Sequence, residues 1–312
     1  MATMKAVRIH EYGGPEVLRY EDAPKPEPGS GDVLIRVHAT SVNPVDRAIR
    51  SGFFKERIHY KLPMIPGWDV SGVVESLGSG ASRLKVGDEV YSRPDLSRDG
   101  AYAEYIAVRE SEVALKPKSI DHVHAAIIPL VALTAWQALF DGAKLSAGQT
   151  VLIHGAAGGV GTFAVQFAKI KGARVIATGS QRNQEFLRSL GADQVIDYTA
   201  TKFEDVVHGV DVVLDTITGE TGDRSYQVIK KGGIYVSILM PPSAEKAAAH
   251  GVRTHHTFVQ ANVEQLGEIA KLVDAGKLKL IIEKVFPLAE ARAAQELNAQ
   301  GHTRGKIALA VR

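Results

Sequence analysis

The chain contains no cysteine. Disulfides, a thiol nucleophile and any zinc site built on thiolates are therefore excluded. Neither sign of charge dominates: 37 Lys and Arg stand against 35 Asp and Glu, a formal net charge of +2. That balance gives bulk-charge recognition of a nucleic acid or a membrane surface no support. Long apolar runs are missing too. The longest, 127–140, is interrupted by Gln137 and is too short to span a bilayer. The opening MATMKAVRIH has no apolar signal core and no Arg/Ser-rich transit pattern, so the expectation is a soluble, cytoplasmic protein. What remains is ordinary globular usage, 45% apolar and 23% charged, in 312 residues, a length that suggests about two domains.

The first third reads as β-rich. Stretches 4–10, 17–20, 32–41, 70–77, 89–92 and 102–108 alternate or carry β-branched residues, with Gly and Pro between them. One short helix is expected from Pro44 to Arg50, since proline suits the first helical position. From about residue 121 the rhythm changes. Apolar helices over 123–139 precede strands at 150–154, 174–178, 194–198, 210–216, 234–239 and 254–259, with helices at 160–170, 183–190 and 225–230. Continuous apolar strands alternating with helices predict an α/β, doubly wound parallel sheet of six strands. A helix at 263–275 follows. The tail, 277–312, carries two strands around a helix at 290–297 and is expected to return to the first domain.

Strand 150–154 runs into Gly155-Ala156-Ala157-Gly158-Gly159-Val160-Gly161 and then into a helix. This strand–glycine–helix context is what a dinucleotide fingerprint requires: a tight turn, close approach of pyrophosphate to backbone, and free N–H groups at the helix start. Ala157, Gly158, Gly159, Val160 and Gly161 are the candidate phosphate-contacting residues. Two spacings fit the loop. Gly155, Gly159 and Gly161 match G-x-x-x-G-x-G of short-chain dehydrogenases, and Gly158 and Gly161 match G-x-G-x-x-G with Ala156 in place of the first glycine. Tyr226 and Lys230 even supply a Tyr-x-x-x-Lys pair. About 150 residues precede the loop, however, and the pair comes before the fifth strand, so it is read as ordinary helix surface. After the second strand comes Gly179-Ser180-Gln181-Arg182-Asn183, with no acid before Glu185. An acid there would suit NAD. Ser180 and Arg182 suit a 2′-phosphate, so NADP(H) is the expected cofactor.

Further motifs carry a resemblance. Ser41-Val42-Asn43-Pro44-Val45-Asp46, Pro66-Gly67-Trp68-Asp69-Val70-Ser71-Gly72, Val86-Gly87-Asp88-Glu89-Val90-Tyr91, Leu133-Thr134-Ala135-Trp136, Leu190-Gly191-Ala192-Asp193 and Gly301-His302-Thr303-Arg304-Gly305-Lys306-Ile307 span the chain. The sequence resembles the zinc-independent quinone oxidoreductase and alkenal reductase branch of the medium-chain dehydrogenase/reductase family. The resemblance implies a GroES-like β-barrel catalytic domain, 1–123 completed by 276–312, and a Rossmann NADP-binding domain, 124–275. It also implies an active site in the cleft between them and a homodimer. It places Thr134 near the nicotinamide, Tyr198 at the adenosine phosphate end, and Phe258, Val259 and Lys306 along the cofactor.

Zinc alcohol dehydrogenases of that family hold metal with Cys, His and Cys. By motif position this chain has Asn43, Trp68 and Leu130 there, and no metal site is expected. His122 with His124, and His255 with His256, lack the company to form one. Without a Lewis acid the acceptor must take hydride readily, which quinones and α,β-unsaturated carbonyls do. Asn43 is the first candidate for an oxygen- or ribose-contacting amide, and equally the N-cap of the following helix. Related quinone oxidoreductases carry two tyrosines where Ala48 and Phe54 stand here. Tyr60, with Phe53 and Phe54, is the candidate lining of a planar substrate slot or, alternatively, barrel packing. Two other functions stay open: a non-catalytic NADPH-binding protein of crystallin-like or regulatory type, and a reductase of saturated carbonyls.

Overall fold

The computed structural model describes residues 2–312, and its early strands follow the alternation of the sequence. They are β1 (Thr3–Arg8), β2 (Arg19–Pro24), β3 (Asp32–Val42), β4 (Val70–Leu77), β5 (Glu89–Ser92), β6 (Tyr105–Arg109) and β7 (Val113–Leu115). The strand expected at 17–20 begins later, at Arg19, and runs on to Pro24 as β2 after a one-turn 3-10 helix, Pro15–Val17; the three residues of β7 escaped prediction. Helix α1 (Pro44–Arg50) has the bounds expected, with Pro44 at its first position. The apolar helices expected over 123–139 are α2 (His122–Ala126), α3 (Pro129–Trp136) and a π-type turn, Gln137–Gly142. Pro129 ends the first piece because it cannot supply the backbone donor that a continuing helix needs.

Six strands follow: β8 (Thr150–Ile153), β9 (Arg174–Gly179), β10 (Gln194–Asp197), β11 (Val210–Asp215), β12 (Ile229–Ser237) and β13 (Arg253–His256). All pair in parallel, in the order β10-β9-β8-β11-β12-β13. This is the doubly wound order of a Rossmann sheet, with its switch point between β8 and β11. Val151, Leu152, Ile153, Val212, Val213 and Leu214 are buried, as strands covered on both faces must be. Crossovers include α4 (Gly159–Ile170), α5 (Gln184–Ser189), α6 (Gly219–Ser225) and α7 (Ala244–His250). The helix expected at 225–230 does not form. Tyr226–Val228 make a single 3-10 turn, and Lys230 already lies in β12, paired with Asp211. The β-branched pair Val228-Ile229 favours extension there. Tyr226 and Lys230 thus share no helix face, and the Tyr226 ring stacks on Tyr235 at 4.7 Å.

The tail supplies α8 (Val263–Asp274), β14 (Ile282–Pro287), α9 (Ala291–Ala299) and β15 (Lys306–Ala310). β15 pairs antiparallel with β3, completing the GroES-like sheet in the order β14-β15-β3-β4-β5-β7, with β6 on β3. Two compact units result: residues up to Leu130 with Ala261–Arg312, and Val131–Gln260. The divisions expected at 123 and 275 fall at 130 and 260 instead. Helix α8 belongs with the first unit because Tyr91 Oη donates to the Leu266 carbonyl at 2.6 Å and the Ser119 N–H donates to Asp274 at 2.9 Å.

Candidate active site

In the second unit the site begins where β8 ends. Gly155 has φ +64°, and a Cβ there would meet Thr216 Oγ1 at 2.3 Å. A Cβ on Gly161 would lie 2.4 Å from the Gly155 carbonyl oxygen and 2.5 Å from Ala156 Cα. The helix start is therefore pressed against the turn, and both glycines are required by contact. Ala157, Gly158, Gly159 and Val160 are half-buried around the first turn of α4. The first N–H groups of a helix have no intrahelical partner and carry the positive end of its dipole. They form an anion seat at the switch point of the sheet.

At the end of β9, Ser180 is half-buried and Arg182 exposed, in a 3-10 turn with no carboxylate before Glu185. Asn183 Nδ2 donates to Ser180 Oγ at 3.3 Å. Tyr198 follows β10 and Phe258 follows β13, both more than half exposed, and Val259 is half-buried. Thr134 is buried on α3. Sequence reasoning missed His154, directly under the glycine turn. Its Nδ1 lies 3.2 Å from Thr178 Oγ1 and its Nε2 3.1 Å from Ser225 Oγ. Burial holds the ring at a pKa of about 4, so it is neutral. A polar residue closing an apolar strand was the available signal.

In the first unit, α1 and β15 bring Asn43 and Lys306 together. Lys306 Nζ donates to Asn43 Oδ1 at 2.5 Å and to the Val42 carbonyl at 2.8 Å, with Asp69 Oδ2 at 3.6 Å. Asp69 accepts from Asn43 Nδ2 at 2.7 Å, Ser41 Oγ at 2.6 Å and the Leu130 N–H at 2.7 Å. Asn43, Asp69 and Lys306 are all buried. Burial pushes the Asp69 carboxyl up and the Lys306 amine down. The partners decide the charge states. Lys306 faces three oxygens, which needs three N–H donors, and Asp69 faces only donors, so both are ionised. The Asn43 amide is locked in one orientation, because a flip would set its NH₂ against an ammonium.

Asn43 is also the N-cap residue of α1, in a capping box with Asp46. Asp46 closes that end from the other side: its Oδ2 accepts the Asn43 N–H at 2.8 Å and the Tyr102 hydroxyl at 2.9 Å. Asp46 is fully buried, its Oδ1 has no partner among the described residues, and burial raises its pKa to about 7. Tyr60 Oη donates to the Leu96 carbonyl at 2.5 Å, and burial moves its pKa upward. Its ring lies 6.3 Å from that of Trp68, and Phe54 packs into the same apolar cluster, whereas Phe53 is exposed. His122 Nδ1 lies 2.8 Å from Ser71 Oγ, and Asp121 caps α2 by accepting the His124 N–H at 2.8 Å. No group of three or more metal-ligating side chains occurs among the described residues. Asp69 escaped the sequence reading, although an acid opening an apolar strand was visible.

Comparison with known proteins gives two family matches: "Alcohol dehydrogenase GroES-like domain" over residues 29–118 and "Zinc-binding dehydrogenase" over residues 190–309. The chain is 37% identical to mouse mitochondrial NAD(P)H oxidoreductase RTN4IP1, covering 99% of this chain and 89% of that protein. It is 38% identical to the chloroplastic NADPH-dependent alkenal/one oxidoreductase of Arabidopsis thaliana, over 97% of this chain and 78% of that one. The solved quinone oxidoreductase of Coxiella burnetii superposes with a TM-score of 0.94 at 38% identity, covering 100% of both chains.

Proposed function

Since the chain belongs to the medium-chain dehydrogenase/reductase family, in its quinone oxidoreductase and alkenal reductase branch, we propose that it is an NADPH-dependent, metal-free reductase of quinones or α,β-unsaturated carbonyls. The observation that carries this reading is the glycine turn pressed on α4 at the switch point, followed by Ser180 and Arg182 where NAD sites place an acid. These residues fit NADPH. The backbone of Ala157, Gly158, Gly159, Val160 and Gly161 would hold the pyrophosphate. Ser180 and Arg182 would hold the 2′-phosphate, a match for the guanidinium fork. Tyr198, Phe258, Val259 and Thr134 are assigned to the remaining contacts. When bound, NADPH supplies the hydride.

A zinc ion does not fit. The positions homologous to its ligands are Asn43, Trp68 and Leu130. The Asn43 amide is taken up by Lys306 and Asp69, and Trp68 Nε1 donates to the Arg98 carbonyl at 3.3 Å. Asn43 is assigned to orienting the acceptor or the ribose, with Lys306 and Asp69 keeping its amide in place. Tyr60 contributes its ring, since its hydroxyl is committed to Leu96. The proton comes from solvent. We further propose a cytoplasmic homodimer. No helix among the described residues is long and apolar enough to cross a membrane.

The test is oxidation of NADPH and NADH by chelator-treated protein with an ortho-quinone, a short 2-alkenal and the matching saturated aldehyde. The expected result is NADPH-dependent turnover of quinone or alkenal, and none of the saturated aldehyde. NADPH binding without any turnover overturns the enzyme reading.

A further inference from the structure

The carboxylates of the first unit are nearly all spoken for. Arg98 holds Asp32 through both oxygens, at 2.9 and 2.6 Å, and Arg109 spans Asp95 and Glu112 at 2.7 and 3.0 Å. Two buried arginines are left without hydrogen bonds from their side chains, Arg50 and Arg93. Arg50 closes the C-terminal end of α1, where helix carbonyls favour a cation and Glu16 and Glu296 face it. Arg93 has no such account. It is 5% exposed, its Nε is fully buried, and no hydrogen bond or ion pair engages its guanidinium among the described residues. A buried guanidinium whose Nε–H has no acceptor is expensive unless something binds it.

Val70 of β4 pairs with Ser92 of β5, so the next residue on, Arg93, comes level with Asp69, the anchor of Asn43. Tyr60, whose hydroxyl donates to the Leu96 carbonyl and whose ring lies by Trp68, is near enough to interact with Arg93 electrostatically. The charged groups around Arg93 are Asp95, Asp69 and Glu112. Asp95 and Glu112 share Arg109, and Asp69 has Lys306. Counting Arg93, Arg109 and Lys306 against these three acids, the neighbourhood is already neutral. A neutral carbonyl oxygen supplies acceptor lone pairs to the guanidinium and carries negative charge there only after hydride has added, whereas a carboxylate would carry it throughout.

We propose that Arg93 is a catalytic residue whose guanidinium donates to the carbonyl or quinone oxygen of the acceptor. This rests on the reductase reading above. Hydride adds to the β-carbon, the π pair moves onto oxygen as an enolate, and a solvent proton then adds at the α-carbon; the nicotinamide is released oxidised. Arg93 stabilises the oxygen while it carries charge, the role that a Lewis acid fills elsewhere, and it acts in a water-poor setting where such donors are strongest.

The experiment uses the full chain with Arg93→Gln and Arg93→Lys, and 4-nitrophenol as an oxyanion probe. The wild-type protein is expected to lower the ionisation pH of bound 4-nitrophenol by about 1–3 units, Arg93→Gln not at all, and Arg93→Lys in part. With a simple enone, kcat of Arg93→Gln should fall about 10²–10³-fold while NADPH affinity stays unchanged. A packing role alone would lower thermal stability and NADPH affinity without touching the ionisation of the probe. Failure of 4-nitrophenol to bind, or equal ionisation in wild type and Arg93→Gln, overturns the assignment. So does benzoate binding tenfold tighter than benzamide in an Arg93-dependent way, which would make the residue a carboxylate anchor. A probe shift without turnover of any acceptor supports the oxygen site and sinks the reductase reading instead.

Discussion

The two polar centres of this protein are buried by opposite means. In the second unit the glycine turn keeps side chains away, so that backbone N–H groups face outward at a helix start. In the first unit, Asn43, Asp46, Asp69 and Lys306 are themselves interior, and each is held by the others. One site works by removing atoms, the other by matching charges. The first tolerates no added carbon at its tight positions, and the second tolerates no lost partner. They also respond to pH in opposite directions.

Several changes would break or sharpen this contrast. The largest effect is expected from Lys306→Met, which leaves Asp69 as an unpaired buried charge. It should cost about 3–5 kcal/mol in denaturant unfolding, and adding Asp69→Asn should restore part of the loss. A loss under about 1 kcal/mol would mean that the charges are not coupled.

The pH limbs come next, each on the order of a few kcal/mol. Asp46 has its folded pKa raised from 3.8 to about 7, so the folded state binds the extra proton. Its contribution is complete below pH 3.8 and lost as pH rises to 7. His154 is lowered from 6.5 to about 4, so the unfolded state binds the extra proton. Its contribution is complete above pH 6.5 and lost as pH falls to 4. Unfolding measured from pH 4 to 8 should show Asp46→Asn removing the alkaline-side loss and His154→Gln the acid-side loss. Parallel curves for wild type and both variants would refute the assignment.

Arg182→Ala should weaken NADPH by about 1.5–3 kcal/mol in a binding titration and leave NADH nearly unchanged. Equal loss for both would remove the 2′-phosphate argument. Within the glycine turn, Gly161→Ala should cost about 1–3 kcal/mol of stability through overpacking. Gly158→Ala should be nearly silent, because its nearest neighbour would lie at 3.4 Å, ordinary contact. Thermal melts of the two variants compare them directly. Tyr60→Phe is the mildest change, about 1 kcal/mol for one hydrogen bond, with kcat within a few-fold of wild type. A hundredfold fall in kcat would return its hydroxyl to the chemistry.

The second unit was the more legible of the two. Its strands announce themselves as continuous β-branched runs, and the glycine spacing states a steric need that any fold must meet locally. Helix α1 was equally plain, because Pro44 limits where a helix can start. The misreadings came where local preference lost to neighbours. Tyr226 and Lys230 sit at helical spacing, yet the chain extends after Val228 to join β11.

Periodicity, composition and short-range sterics thus determined the α/β class, the parallel sheet, the glycine turn before α4 and the absence of thiol chemistry, since each depends on residues a few positions apart. The tertiary structure alone decided that Lys306 meets Asn43 across 263 positions, that Asp69 lies against both, and that Arg93 Nε is buried without an acceptor. Burial and pairing are properties of what surrounds a side chain. No pattern along the chain reports which distant strand will bring the opposite charge.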